Sequence, residues 1–124
     1  MTLIIDTTEK DFIIISFINK DKHHHKKIKA HYQQAEKLLP KIVEMMNKLK
    51  ITWSEIKEIK VQSEGGGFTS LRIGVLTANA LAYALKIPVR AVNGDRSVSF
   101  PGGIAVKPRY QSEPNIGPPR APAC

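Results

Sequence analysis

The chain has 124 residues and a single cysteine, Cys124, at its last position. One cysteine excludes an internal disulfide and fits a reducing compartment, so a cytoplasmic protein is expected. No apolar run reaches the roughly 18 residues that a membrane-spanning helix needs. The opening residues pass straight into the strand-like Leu3-Ile4-Ile5, with no basic segment and apolar stretch of a secretory signal. Aromatic residues make up 6% of the chain and are not interleaved with the cations. The stacking surfaces of single-strand nucleic-acid readers are therefore not legible. Acidic residues are scarce, 11 against 19 Lys and Arg, for a net charge of +8. Such a balance suits nucleic acid, an acidic partner or solubility alone. Much of the excess sits between Lys20 and Lys29. The charge lies in one patch rather than in a stripe interleaved with aromatics, so direct nucleic-acid binding is the weaker reading.

The length suggests one domain, large enough to bury a core without staples. Residues 2–6 and 12–18 are apolar and rich in β-branched types, and a third strand is expected over 22–30. The short polar links Thr7 to Asp11 and Asn19 to Asp21 make this an antiparallel meander. From Tyr32 the apolar period changes to three and four, predicting an amphipathic helix of about 18 residues. Pro40 interrupts that pattern, so a kink or a start near Leu38 is expected. Thr52 and Glu55 have capping-box spacing. Residues 59–62 read as a strand, Thr69 to Lys86 as a second long helix stopped by Ile87-Pro88, and 89–92 as a strand. Strand, helix, strand with short links is a βαβ unit, whose strands are parallel. Six of the eight prolines lie from Pro101 onward. The chain therefore divides into a lobe over 1–95 and a Pro-rich extended tail over 96–124. The order β-β-β-α-β-α-β is that of a ribonuclease-H-like, actin-like ATPase half: α/β, with a mixed five-stranded sheet carrying two long helices on one face.

The most distinctive stretch is Ser63-Glu64-Gly65-Gly66-Gly67-Phe68-Thr69-Ser70-Leu71-Arg72-Ile73-Gly74. Three glycines leading into a helix can cradle phosphate on bare N–H groups, or can simply supply a turn of positive φ. The loop lacks the Lys-Ser/Thr ending of a P-loop, and Glu64 beside it would repel an anion. Asp6 and Thr7, at the end of the first strand, could join it in a nucleotide site or shape a β-turn. Of His23-His24-His25, only the first and third share a strand face, and without nearby carboxylates a solvated strand outweighs a metal site. His31 stands apart from any Ser, Cys or Asp constellation, and no catalytic dyad or triad is legible. The second helix carries Gly74, Ala78, Ala82 and Leu85 on one face, and Ala80 and Ala84 on another. The first widens its apolar stripe with Leu38-Leu39 and Met45-Met46. Both patterns suit a helical protein interface.

These residues resemble a known family. Gly66-Gly67-Phe68-Thr69-Ser70-Leu71-Arg72-Ile73-Gly74 is similar to the G-S-F-T-G-L-R-I-G signature of the bacterial TsaB family. Ile4-Ile5-Asp6-Thr7-Thr8 is similar to its opening strand. Glu36-Lys37-Leu38-Leu39-Pro40 resembles its E-x-L-L-P, which makes Pro40 an early-turn proline. Leu81-Ala82-Tyr83-Ala84-Leu85-Lys86-Ile87-Pro88-Val89 matches the end of its second helix. Gln34 stands where the family has histidine, and Gly67 and Ser70 replace its serine and glycine.

The resemblance implies an actin-like-fold, M22-peptidase-like protein without catalytic capacity. It would be the scaffold partner of a TsaD-like subunit and, with a TsaE-like ATPase, serve threonylcarbamoyl transfer to the adenosine beside the anticodon, with this chain's own transfer-RNA contact expected to be indirect or weak. No cofactor is expected for the chain itself, and ATP or ADP only within the complex. Homodimer or heterodimer contacts are expected through Gln34, Leu38, Lys41, Ile42, Met45, Leu71, Gly74, Ala78, Leu81, Ala82 and Leu85. A degenerate nucleotide site would use Asp6, Thr7, Gly65, Gly66, Gly67 and Thr69. No catalytic and no metal-binding residue is assigned. The family's second lobe is missing, and the Pro108-Arg109-Tyr110 and Pro114-Asn115-Ile116 segments resemble its terminal tail. The alternatives are a nucleotide-dependent phosphotransferase or M22-like enzyme using Asp6 and the glycine loop, and a homodimeric interaction protein unrelated to transfer RNA.

Overall fold

The computed structural model describes residues 1–65, 67–92, 97–100 and 103–106, with the backbone alone at Phe68 and from 97 onward. Gly66 and the tail beyond 106, Cys124 included, lie outside the described residues.

Strands β1 (Thr2–Asp6), β2 (Phe12–Ile18) and β3 (His23–Lys29) form the expected meander. Thr2 pairs with Ile18 and Asp6 with Ile14; Phe12 pairs with Lys29 and Ile18 with His23. Strand β4 (Glu58–Val61) runs parallel to β1, and β5 (Val89–Ala91) parallel to β4. The sheet order is β3-β2-β1-β4-β5, so the N-terminal strand is central.

Burial alternates along the strands, because successive side chains point to opposite faces. Leu3, Ile5, Ile13, Ile15, Phe17, Ile59, Val61 and Val89 are buried on one face. Helix α1 (Gln34–Leu49) covers that face over β2, and α2 (Phe68–Leu85) covers it over β1, β4 and β5. Leu38, Ile42, Met45 and Met46 come down from α1; Leu71, Val75, Ala78 and Ala82 come down from α2. Each large side chain buried this way stabilises the fold by about 1.5–3 kcal/mol relative to exposure. Ala78 and Ala82 let α2 lie close to the sheet.

Both helices stop in the same way. Lys50 and Lys86 take the left-handed conformation at φ 58° and 57°. Beyond them, the Ile51 N–H bonds to the Met46 carbonyl (2.8 Å) and the Ile87 N–H to the Ala82 carbonyl (3.1 Å). These are Schellman closures, each followed by an isoleucine folded back on the core. Between α1 and β4, Thr52 and Glu55 make the expected capping box around a single 3-10 turn, with the Thr52 N–H 3.1 Å from the Glu55 carboxylate.

Two expectations are corrected. Helix α1 starts at Gln34, so Pro40 lies inside it rather than in its first turn. A proline there has no N–H to give the Glu36 carbonyl, and four apolar side chains on the core hold the helix through that gap. In addition, part of the segment assigned to the tail forms an antiparallel hairpin, β6 (Ser97–Phe100) with β7 (Gly103–Val106). Its backbone runs beside α2 and β5. The Pro101-Gly102 dipeptide between two β-prone quartets was the available turn signal.

Candidate functional site

The glycine loop and the β1 end do meet, but in a structural union. Thr7 is fully buried. Its hydroxyl donates to the Ser70 carbonyl and accepts from the Gly74 N–H at 3.1 Å. Those two groups are the i and i+4 partners of an ideal helix. The Thr7 side chain therefore keys into the first turns of α2. Gly74 makes room for it: a Cβ there would lie 2.6 Å from Thr7 Oγ1. Asp6 accepts from the Thr8 N–H (2.8 Å) and hydroxyl (2.6 Å), closing the turn that follows β1. Gly65 has φ +88° and needs to be glycine, whereas Gly67 opens α2 at an ordinary φ of −84°. Thr7, expected at a nucleotide site, is thus inaccessible to a phosphate, and Asp6 is engaged with its own turn.

Gln34 completes this corner. It is 5% exposed, and its amide nitrogen reaches the carbonyls of Thr7 (3.1 Å), Glu9 (2.8 Å) and Phe12 (2.8 Å). It anchors the β1–β2 turn to the start of α1. Beside it lies a cleft of about 390 Å³ lined by Lys10, Asp11, Tyr32, Thr69 and Ile73 among others. At its edge Asp11 pairs with His31, whose ring rests 4.0 Å from that of Tyr32. Among the described residues, no three His, Cys, Asp or Glu side chains converge as a metal site would require.

The helices present a second surface, facing away from the sheet. Here the residues assigned to an interface need correction. Gln34, Leu38, Ile42, Met45, Leu71, Gly74, Ala78 and Ala82 are buried inside this chain, on the sheet side of the helices. Their three-four spacing marks the core-facing stripes of the two helices. Lys41, Leu81 and Leu85 are half-buried. The outward stripes are instead Leu39 (43% exposed) and Val43 (37%) on α1, and Leu76 (58%) and Tyr83 (57%) on α2. Arg72 and Ala80 continue the α2 stripe. Their signal in the sequence was that α2 carries one charged residue, Arg72, in eighteen, so its solvent side is only sparsely charged. A shallow hollow on α1 between Pro40, Val43 and Asn47 lies alongside. At its rim Lys41, 3.1 Å away, holds the Glu44 carboxyl below the usual carboxylate range.

A 3-2-1-4-5 mixed sheet with both helices on one face defines an actin-like, ribonuclease-H-like α/β half-fold. Residues 13–111 match the model of the family described as TsaD: tRNA N6-adenosine threonylcarbamoyltransferase, and the chain belongs to that family. It is similar to the TsaB protein of Bacillus subtilis, a tRNA threonylcarbamoyladenosine biosynthesis protein, with 27% identity over 101 residues, 82% of this chain and 40% of that one. It is also similar to the tRNA N6-adenosine threonylcarbamoyltransferase of Syntrophobacter fumaroxidans, with 38% identity over 64 residues, 52% of this chain and 19% of the relative. Among solved structures, YeaZ from Pseudomonas aeruginosa shares the fold with a TM-score of 0.69 at 24% identity, covering 73% of this chain and 42% of YeaZ. The chain thus spans less than half the length of these relatives. Among the described residues, no helix is long and apolar enough to cross a membrane.

Proposed function

We propose that this chain is a TsaB-type, non-catalytic scaffold in transfer-RNA threonylcarbamoyladenosine formation, binding a TsaD-type catalytic subunit through the outer surface of α1 and α2. A TsaE-type ATPase would join the same assembly. The observation that carries the reading is the apolar outer side of α2. A helix with apolar side chains on two sides is normally covered on both, yet Leu76 and Tyr83 stand exposed on α2, as do Leu39 and Val43 on α1. Covering them supplies the missing partner side. The commitment of Thr7 and Asp6 to the fold supports a scaffold role over a nucleotide-using enzyme.

The test is co-purification with the TsaD-type subunit of the same organism. Leu76→Asp and Val43→Asp are expected to reduce recovery of the complex at least ten-fold while leaving thermal unfolding of the chain unchanged. Retention of the complex by both variants would sink the interface. Stable self-association with no TsaD-type binding would favour a homodimeric protein instead.

A further inference from the structure

The opposite face of the sheet carries a feature that the helix surface does not use. We propose that β3 and the turn before it form a docking ridge for the phosphate backbone of RNA. This goes beyond the helix-surface reading and does not rest on it, since the two lie on opposite faces.

Between residues 20 and 29 stand Lys20, Lys22, Lys26, Lys27 and Lys29 with three histidines, against one carboxylate, Asp21. Strand β3 is the edge of the sheet, and all of it except His24 and Ile28 is exposed. Its register places His23, His25, Lys27 and Lys29 on the face away from the helices, opposite Ile18, Ser16, Ile14 and Phe12. The contacts agree: His25 Nδ1 lies 3.0 Å from Ser16 Oγ, and Lys27 Nζ sits 4.4 Å from the centre of the Phe12 ring. No described helix packs on this face. The pairing of Ser16 with His25 and Ile4, of Ile4 with Lys60, and of Lys60 with Arg90 draws one row across the sheet.

Carboxylates are few here. Glu9 pairs with Lys27, Glu58 with Arg90, and Asp6 is held by Thr8; Glu44 on α1 faces the other side near Lys26. Among the described residues, Lys20, Lys22 and Lys29 make no ion pair. Same-face side chains on a strand recur about every 6.7 Å, so the ridge is roughly 20 Å long, with Lys20 and Lys22 at one end and Lys27 and Lys29 at the other. The β2 neighbours on this face, Phe12, Ile14 and Ile18, are half-buried, whereas the exposed side chains along the edge are chiefly the lysines and histidines of β3 and its turn. An exposed edge rich in cations matches a polyphosphate chain, which is bound by neutralisation and counterion release without base reading. Edge strands also use lysine to resist pairing with other sheets, and the experiment separates that role from binding.

The 124-residue chain is titrated into a fluorescently labelled transfer-RNA transcript at several salt concentrations, followed by anisotropy. The triple variant Lys20→Gln, Lys22→Gln, Lys29→Gln is compared with Lys37→Gln, Lys48→Gln on α1. The expected result is salt-sensitive binding that weakens roughly five-fold per ridge lysine removed at 0.1 M salt, on the order of a hundred-fold for the three. The slope of log affinity against log salt should fall by about 0.7 per lysine. The α1 pair should change little. Undetectable binding at low salt, or an equal loss from the α1 pair, overturns the proposal. So does equal displacement of RNA by polyglutamate at matched charge, which would make the ridge a site for an acidic protein. Circular dichroism of each variant checks that the fold is retained.

Discussion

Thr7 and Gly74 act as one unit, although 67 residues separate them in the chain. Gly74→Ala forces a Cβ against Thr7 Oγ1 and should cost about 1–3 kcal/mol, the range for overpacking a rigid site. Thr7→Ala leaves the Ser70 carbonyl and Gly74 N–H without the hydroxyl and should cost about 1–3 kcal/mol. The double variant should cost clearly less than the sum, because removing the hydroxyl opens the space that the new methyl needs. Urea unfolding of all four proteins measures this, and strict additivity would show that the two side chains do not share a site. The helix ends give a prediction of opposite sign. Lysine at φ near 57° is strained, so Lys50→Gly and Lys86→Gly should each stabilise by roughly 0.5–1 kcal/mol in thermal unfolding. At this scale the sequence was only partly legible. The positive φ of Gly65 was foreseeable from three glycines in a row. The need for Gly74 was not, because it depends on which side chain the fold brings against it. Gln34 misled for a similar reason: its periodicity marks it as helical, but only the neighbouring β1–β2 turn reveals three carbonyls waiting for its amide.

Among the elements, α2 has two apolar sides with different roles. Ala78 faces the sheet and Leu76 faces outward. Ala78→Asp should therefore unfold the chain, since an unpaired buried carboxylate costs several kcal/mol. Leu76→Asp should leave the melting temperature unchanged and reduce binding of the TsaD-type subunit at least ten-fold. Calorimetry of the two variants and their co-purification with that subunit read the two effects separately. Matching losses of stability would mean that the outward stripe belongs to the core. The apolar runs and the three-four spacing located β1, β2, β4, β5 and both helices, because each of these buries one face; β3 was legible from the short turns around it, and the β6–β7 hairpin fell in the segment assigned to the tail. Which of two apolar faces of α2 meets the sheet could not be read from spacing. That choice is made by tertiary packing, where alanines fit under the helix and Leu76 and Tyr83 do not.

For the whole molecule, the helix surface and the β3 ridge lie on opposite faces of one sheet. Their variants should act independently: Leu76→Asp should leave the salt slope of RNA binding unchanged, and the ridge triple variant should leave complex recovery unchanged. Cross-effects in either direction would show one shared surface. The order of the sheet has a further consequence, which concerns synthesis of the protein. β1 is central, flanked by β2 and β4. The meander can form as soon as β3 leaves the ribosome, but β1 then keeps one open edge until β4 follows some thirty residues later. At roughly 5–20 residues per second that is a delay of a few seconds. During it, Leu3, Ile4 and Ile5 present an unpaired apolar edge. The nascent chain should be most prone to aggregate, and most dependent on chaperones, in that interval.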